Sequence, residues 1–180
     1  MLSGSTFTSI AFPNSGPKGT VALGINKWNT VVGFYPDSNG FNHGFKRYSN
    51  GNWIKLNYPG AQSTEPTGIN DSGTIVGTFE DTNGFHGFVY RGGQWSELED
   101  PNLGQDATSL LGISNAGVII GYVPWGPGFT FYYKNGRFNL ITDAAADDAE
   151  TFASGIAANG VITGNEGINY VPNGFIAACP

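Results

Sequence analysis

Short apolar runs broken by glycine and asparagine fill this chain from end to end, as in "TIVGTF" at Thr74–Phe79 and "HGFVY" at His86–Tyr90. Runs of this length bounded by turn residues read as β-strands. One unit shows the whole pattern. Strands are predicted at about Glu65 to Asn70, Thr74 to Phe79, His86 to Tyr90 and Trp95 to Glu99, joined by "NDSG", "EDTNG" and "RGG". Asp-Ser-Gly, Asn-Ala-Gly and Asn-Gly steps supply the positive φ that hairpin turns need.

The unit repeats. A Gly-Ile pair stands at Gly24-Ile25, Gly68-Ile69, Gly112-Ile113 and Gly155-Ile156, at spacings of 44, 44 and 43 residues. Nine residues after each of these glycines comes another: Gly33, Gly77, Gly121 and Gly164. A threonine precedes each pair by four positions (Thr20, Thr64, Thr108, Thr151), and Phe45, Phe88, Phe131 and Phe175 form a further column. Four antiparallel strands in about 44 residues is the period of a β-propeller blade.

The chain ends complement each other. Last strands begin with an aromatic residue and reach an aliphatic one three positions on, as Trp53-Leu56, Trp95-Leu98 and Phe138-Ile141. The fourth repeat stops at "NGFIAACP" without such a strand, while the N-terminus carries one to spare in Phe7-Ile10-Pro13. The expectation is an all-β fold in one domain, 1-180. It is a closed four-bladed propeller with repeats at about 20-59, 64-101, 108-144 and 151-180 plus 5-13, the N-terminal strand closing the last blade. Closure removes exposed sheet edges, and a monomer is expected.

Composition narrows the partners. Charged residues make up 12% of the chain, aromatics 14%, and 28 of its 180 residues are glycine, a profile of many short strands rather than helices or disorder. Net charge is −6, and the eight Lys and Arg are scattered singly. Nothing resembles a basic stripe for phosphates, so nucleic acid is an unexpected partner. No run of 18 apolar residues occurs, so membrane insertion by a helix is not expected. The single cysteine, Cys179, cannot close an internal disulfide. The start "MLSGSTFTSIAF" lacks a charged region followed by an apolar one, so no signal peptide is expected in it. Asn70-Asp71-Ser72 fits a glycosylation sequon but is most simply a turn.

At "GINDSGTIVGTFEDTNGFHGFVYRGGQW", Gly68 to Trp95, the chain resembles the bacterial HAF repeat, a repeat named for a His-Ala-Phe step. The step here reads His43-Gly44-Phe45, His86-Gly87-Phe88, Phe129-Thr130-Phe131 and Asn173-Gly174-Phe175. The resemblance spans nearly the whole chain. It implies a repeated β architecture and a secreted or cell-surface setting in bacteria, and it carries no catalytic residues.

Loops on a rigid scaffold are the usual seat of binding. The second-to-third loops and the interblade connections share one face of a propeller and are unequal here. Tyr35, Phe41, Phe85, Trp125 and Tyr170 come from all four blades, beside Asp37, Glu80, Asp81 and Glu166. Apolar rings next to carboxylates suit a sugar, whose C–H faces stack while its hydroxyls take hydrogen bonds. Phe41 and Phe85 are expected to tuck beneath their own loops. The expected ligand residues are Trp125, Tyr170, Tyr35, Asp37, Asp81 and Glu166, with Trp125 the foremost exposed ring.

Asp106, Asp147, Asp148 and Glu150 in the interblade loops complete an acidic rim, read as solvated. His43 and His86 share one column and are expected to hydrogen-bond within their own blades; as metal ligands they would need a carboxylate to join them. No cofactor is expected, although a cation in the central tunnel would find backbone carbonyls there. No nucleophile elbow, phosphate loop or Ser-His-Asp grouping occurs. The leading expectation is a non-enzymatic binding module for a glycan or other small polar ligand. Two alternatives stand beside it: a small glycoside hydrolase using loop carboxylates such as Asp37 and Asp81, or a structural, protein-binding ring. The hairpins opposite, near Lys27, Asp71 and Arg91, are expected to tolerate substitution without loss of the ligand.

Overall fold

The computed structural model describes residues 7–13, 15–16, 18–101, 107–123, 129–142, 150–168 and 171–178. Every regular element among them is a strand. Blade one holds β1 (Val21–Ile25), β2 (Val31–Pro36), β3 (Asn42–Arg47) and β4 (Trp53–Leu56). Blade two holds β5 (Ser63–Ile69), β6 (Ile75–Glu80), β7 (Phe85–Arg91) and β8 (Gln94–Glu97). Blade three holds β9 (Ser109–Ile113), β10 (Ile119–Val123), β11 (Phe129–Lys134) and β12 (Arg137–Leu140). Blade four holds β13 (Glu150–Ile156), β14 (Val161–Ile168) and β15 (Val171–Ala178). Each sheet is an antiparallel meander in chain order, and together the four form a four-bladed β-propeller. The predicted strands of the second unit agree with β5 to β8 to within two residues.

The repeat columns have distinct physical jobs. Phe45, Phe88 and Phe131 are wholly buried, and each meets an aromatic of its blade's last strand edge-on. The partners are Trp53, Trp95 and Phe138, at ring separations of 5.0, 5.0 and 5.1 Å. That geometry adds about 1 kcal/mol per pair to the burial itself. In all four blades the first strand carries a β-bulge just before the Gly of the Gly-Ile column, and bulges bend a strand and sharpen its twist. The glycine that follows has a steric reason: a Cβ on Gly68 would stand 2.9 Å from the Cα of Gly112 in the next blade. Hairpin turns close on Gly73 and Gly117, with φ of +82° and +81°, as their Asn-Asp-Ser-Gly and Ser-Asn-Ala-Gly sequences require.

Neighbouring blades are stitched at these hairpins. The Asn26 amide donates to the Asn70 carbonyl, and the Asn70 amide to the Ser114 carbonyl, at 3.1 and 3.2 Å. Asp71 accepts from the Lys27 backbone N–H at 3.0 Å and from the Asn115 amide at 2.6 Å, while its own N–H donates to Asn115 Oδ1. These bonds, the Lys27 backbone N–H foremost, hold its carboxyl below the usual range. Asp71 is thus a brace between three blades, on the face opposite the second-to-third loops.

The N-terminal segment departs from expectation. Among the described residues the fourth sheet has three strands, residues 7–13 form no strand, and Phe7 is 90% exposed. Its anchor is Phe12, stacked on Tyr35 at 4.1 Å and edge-on to Trp53, while the Phe12 N–H donates to Thr20 Oγ1. Tyr58 does the same one blade on: it stacks on Phe79 at 3.7 Å, meets Trp95 edge-on, and donates its N–H to Thr64 Oγ1. Phe12 therefore holds the position at which a chain leaves one blade for the next. An aromatic stack on blade one, rather than a ladder on blade four, is what fixes it.

Candidate functional site

Where second strands turn into third strands, blades two and three part to leave a cleft of about 360 Å³. That volume lies in the range of small-ligand sites. Its floor is β5, which presents Ser63, Glu65 and Thr67, and Thr78 and Glu80 of β6 stand beside them. Ser109 of β9 and Tyr122 of β10 form the opposite wall, and Phe85 stands at the lip. Phe85 is held by its backbone, bridged to Ala107 of the next blade, while its side chain stays 46% exposed. Phe41 is likewise 39% exposed, so neither phenylalanine is tucked away as expected.

Polar groups in the cleft are partly preset. Glu65 Oε1 accepts from the Asn42 amide at 2.6 Å, and Ser63 Oγ from the Asn42 N–H at 3.3 Å, both from blade one. The Thr67 hydroxyl contacts the Leu110 carbonyl at 2.7 Å across the cleft. Locked side chains lose little entropy when a ligand arrives. The site thus combines a half-exposed ring, a tyrosine, two glutamates and four hydroxyl residues.

The expected ligand residues do not converge on this cleft. Tyr35 is buried beneath Phe12, 7% exposed, and presents no ring to a ligand. Asp37 and Asp81 organise their own loops. Asp37 Oδ1 accepts the N–H of Asn39 and Phe41 at 2.8 and 3.1 Å, and Asp81 Oδ1 those of Asn83 and Gly84 at 2.7 and 3.3 Å. Burial pushes the Asp37 carboxyl up, but His43 and the loop N–H groups outweigh it and hold it below the usual range. The Asn83 N–H leads the same lowering at Asp81. Glu166 lies on β14 of blade four, opposite Asn173, away from the cleft. Trp125 and Tyr170 lie outside the described residues, as do Asp106, Asp147 and Asp148.

The histidine column behaves as expected. Nε2 of His43 meets Asp37 Oδ2 at 3.3 Å and Nε2 of His86 meets Asp81 Oδ1 at 3.2 Å, each within its own blade. Blade two adds two acidic side chains at the other edge of the ring. Nδ1 of His86 stands 3.4 Å from Glu99 Oε1 and 3.6 Å from Glu97 Oε1. Among the described residues these three make the one grouping whose ligand atoms could share a metal ion.

Sequence reasoning missed Ser63, Glu65, Thr67 and Ser109, because first strands were read for their glycines, and Tyr122 on the second strand β10. A signal existed: polar residues at alternate positions of β5 mark one face that is not core. No protein-family model and no curated protein matches this chain.

Proposed function

We propose that this chain is an extracellular binding module that takes a glycan, or a small polar ligand of similar chemistry, in the cleft between blades two and three. The observation that carries this reading is the pairing of the half-exposed Phe85 ring with Glu65, Glu80 and the serine and threonine hydroxyls around one 360 Å³ space. A pyranose offers an apolar face to such a ring and hydroxyls to such a rim. Resemblance of the repeat to bacterial HAF repeats supports the secreted or surface setting. Trp125 and Tyr170, expected from the sequence as stacking residues, remain part of this reading.

A hydrolase is the weaker reading. The carboxylates it would use, Asp37 and Asp81, already accept two backbone N–H bonds each within their loops.

A glycan array followed by calorimetry tests the proposal. The expected outcome is saturable binding without turnover. Phe85→Ala and Glu65→Gln should weaken it at least tenfold, the scale of a stacking or buried polar contact, while melting stays close to wild type for Phe85→Ala. Undiminished affinity in both variants would remove the ligand from this cleft. Product release from a polysaccharide panel would replace the binding module with the hydrolase.

A further inference from the structure

His86 stands in the same repeat column as His43, yet its surroundings differ. The imidazole is 5% exposed and lies over the Phe79 ring at 4.8 Å, which holds it in place. Its Nε2 faces Asp81, and its Nδ1 faces Glu97 and Glu99. Glu97 and Glu99 are two apart on an extended chain, so both point to one face with Leu98 turned to the other. Phe88 pairs with Glu97 across the ladder, which brings His86, two residues earlier, opposite Glu99. The arrangement thus follows from strand register and not from a chance rotamer.

The chemistry of the three atoms is demanding. A histidine that donates Nε2–H to Asp81 turns a lone pair toward Glu97 and Glu99, and both carboxylates are acceptors as well. In that tautomer the three atoms are the donors that a divalent cation takes. Separations also fit a metal. Ligand atoms about 2.1 Å from a tetrahedral ion lie about 3.4 Å from one another, and the Nδ1-to-oxygen distances are 3.4 and 3.6 Å.

The supporting groups match as well. Asp81 behind the far nitrogen is the carboxylate that orients and strengthens a metal-bound imidazole. Glu99 is positioned by the Gly87 N–H at 3.2 Å and the Thr108 hydroxyl at 3.1 Å, the latter from blade three. Glu97 is 48% exposed, which leaves an entry path.

We propose that His86 Nδ1, Glu97 and Glu99 bind one divalent transition-metal ion of the zinc type, with a fourth position open to water and Asp81 as the positioning residue behind the histidine. One nitrogen and two carboxylate oxygens suit zinc better than the all-oxygen cages of calcium or magnesium. The site lies in blade two, apart from the 360 Å³ cleft, and does not depend on what that cleft binds.

The test uses the full chain stripped with chelator and titrated with zinc chloride. One ion per chain should bind, and a hundredfold excess over the dissociation constant should raise melting by about 5–10 °C. Glu97→Gln and His86→Gln should weaken binding at least tenfold. Asp81→Asn should do so by about 10–100-fold, and His43→Gln should change nothing. Should His86→Gln fail to fold, Glu97→Gln still decides, because its side chain is half exposed. Absence of saturable binding, or equal binding by Glu97→Gln and wild type, overturns the site. Loss in His43→Gln would overturn it too, by pointing to a different ligand set.

Discussion

Blades one and two are almost the same object, with different charges on one edge. Both hold a buried phenylalanine edge-on to a tryptophan, and both receive an aromatic from the preceding segment stacked on the second strand. Both pair a histidine with a loop aspartate at nearly equal distances, 3.3 and 3.2 Å. Where blade two places Glu97 and Glu99, blade one has Lys55 and Asn57. The shared scaffold thus carries different side chains at these two positions.

Their inner strands differ for a different reason. Ile69 of β5 is 7% exposed, packed with Val32 and Leu56 of blade one, whereas Ile25 at the same place in β1 is 63% exposed. Ile113 of β9 repeats the buried case at 8%. The shared Gly-Ile step gives opposite burial because burial depends on the neighbouring blade. The asymmetry yields the largest predicted effect. Ile69→Ala should cost about 2–5 kcal/mol, the usual penalty for emptying a packed site, and Ile25→Ala under about 1 kcal/mol. Urea denaturation of both variants measures it. Equal costs would mean that blade one is covered in solution as blade two is.

A smaller effect distinguishes the two histidine environments by pH. Burial raises the Glu99 pKa, so the native chain retains a proton that the unfolded chain releases. Its charged form thus works against folding above that raised pKa, and the penalty disappears below the ordinary carboxylate range. Asp37 and Asp81, held low, act in the opposite sense: their contribution is complete above the unfolded carboxylate pKa and is lost as pH falls through the folded values. Metal-free Glu99→Gln should accordingly melt about 2 °C above wild type at pH 8, with the gap closing toward pH 4. A gap independent of pH would assign the effect to packing. Asn57→Asp in blade one, without two converging acids, should show no such pattern.

The smallest expected effect sharpens the comparison directly. Lys55→Glu combined with Asn57→Glu copies the edge of blade two onto blade one, around a histidine that already has its aspartate. The double variant should gain a second, weaker zinc site, seen as a stoichiometry near two in calorimetry. Unchanged stoichiometry would show that burial of the imidazole, with a side chain 6% exposed in His86 against 28% in His43, matters more than the ligand set.

Strands, turns and blade count are local properties, and the amino-acid sequence determined them. Alternating apolar runs, Asn-Gly and Asp-Ser-Gly turns and a 44-residue repeat each act over a few residues, or through identical copies. The histidine column and its bond within the blade were legible for the same reason. The cleft was not. Phe85 and Tyr122 line one space because blades two and three diverge there, a distance that no single strand encodes. Asp37 and Asp81 looked like ligands until their carboxylates were seen to accept the N–H groups of their own loops. Tyr35 looked exposed until Phe12, arriving from 23 residues earlier, covered it. Glu97 and Glu99 carry no signal of their own in the sequence; the β7–β8 register sets them against His86. Tertiary structure decided these cases because burial and convergence depend on which separate segments come to share one space.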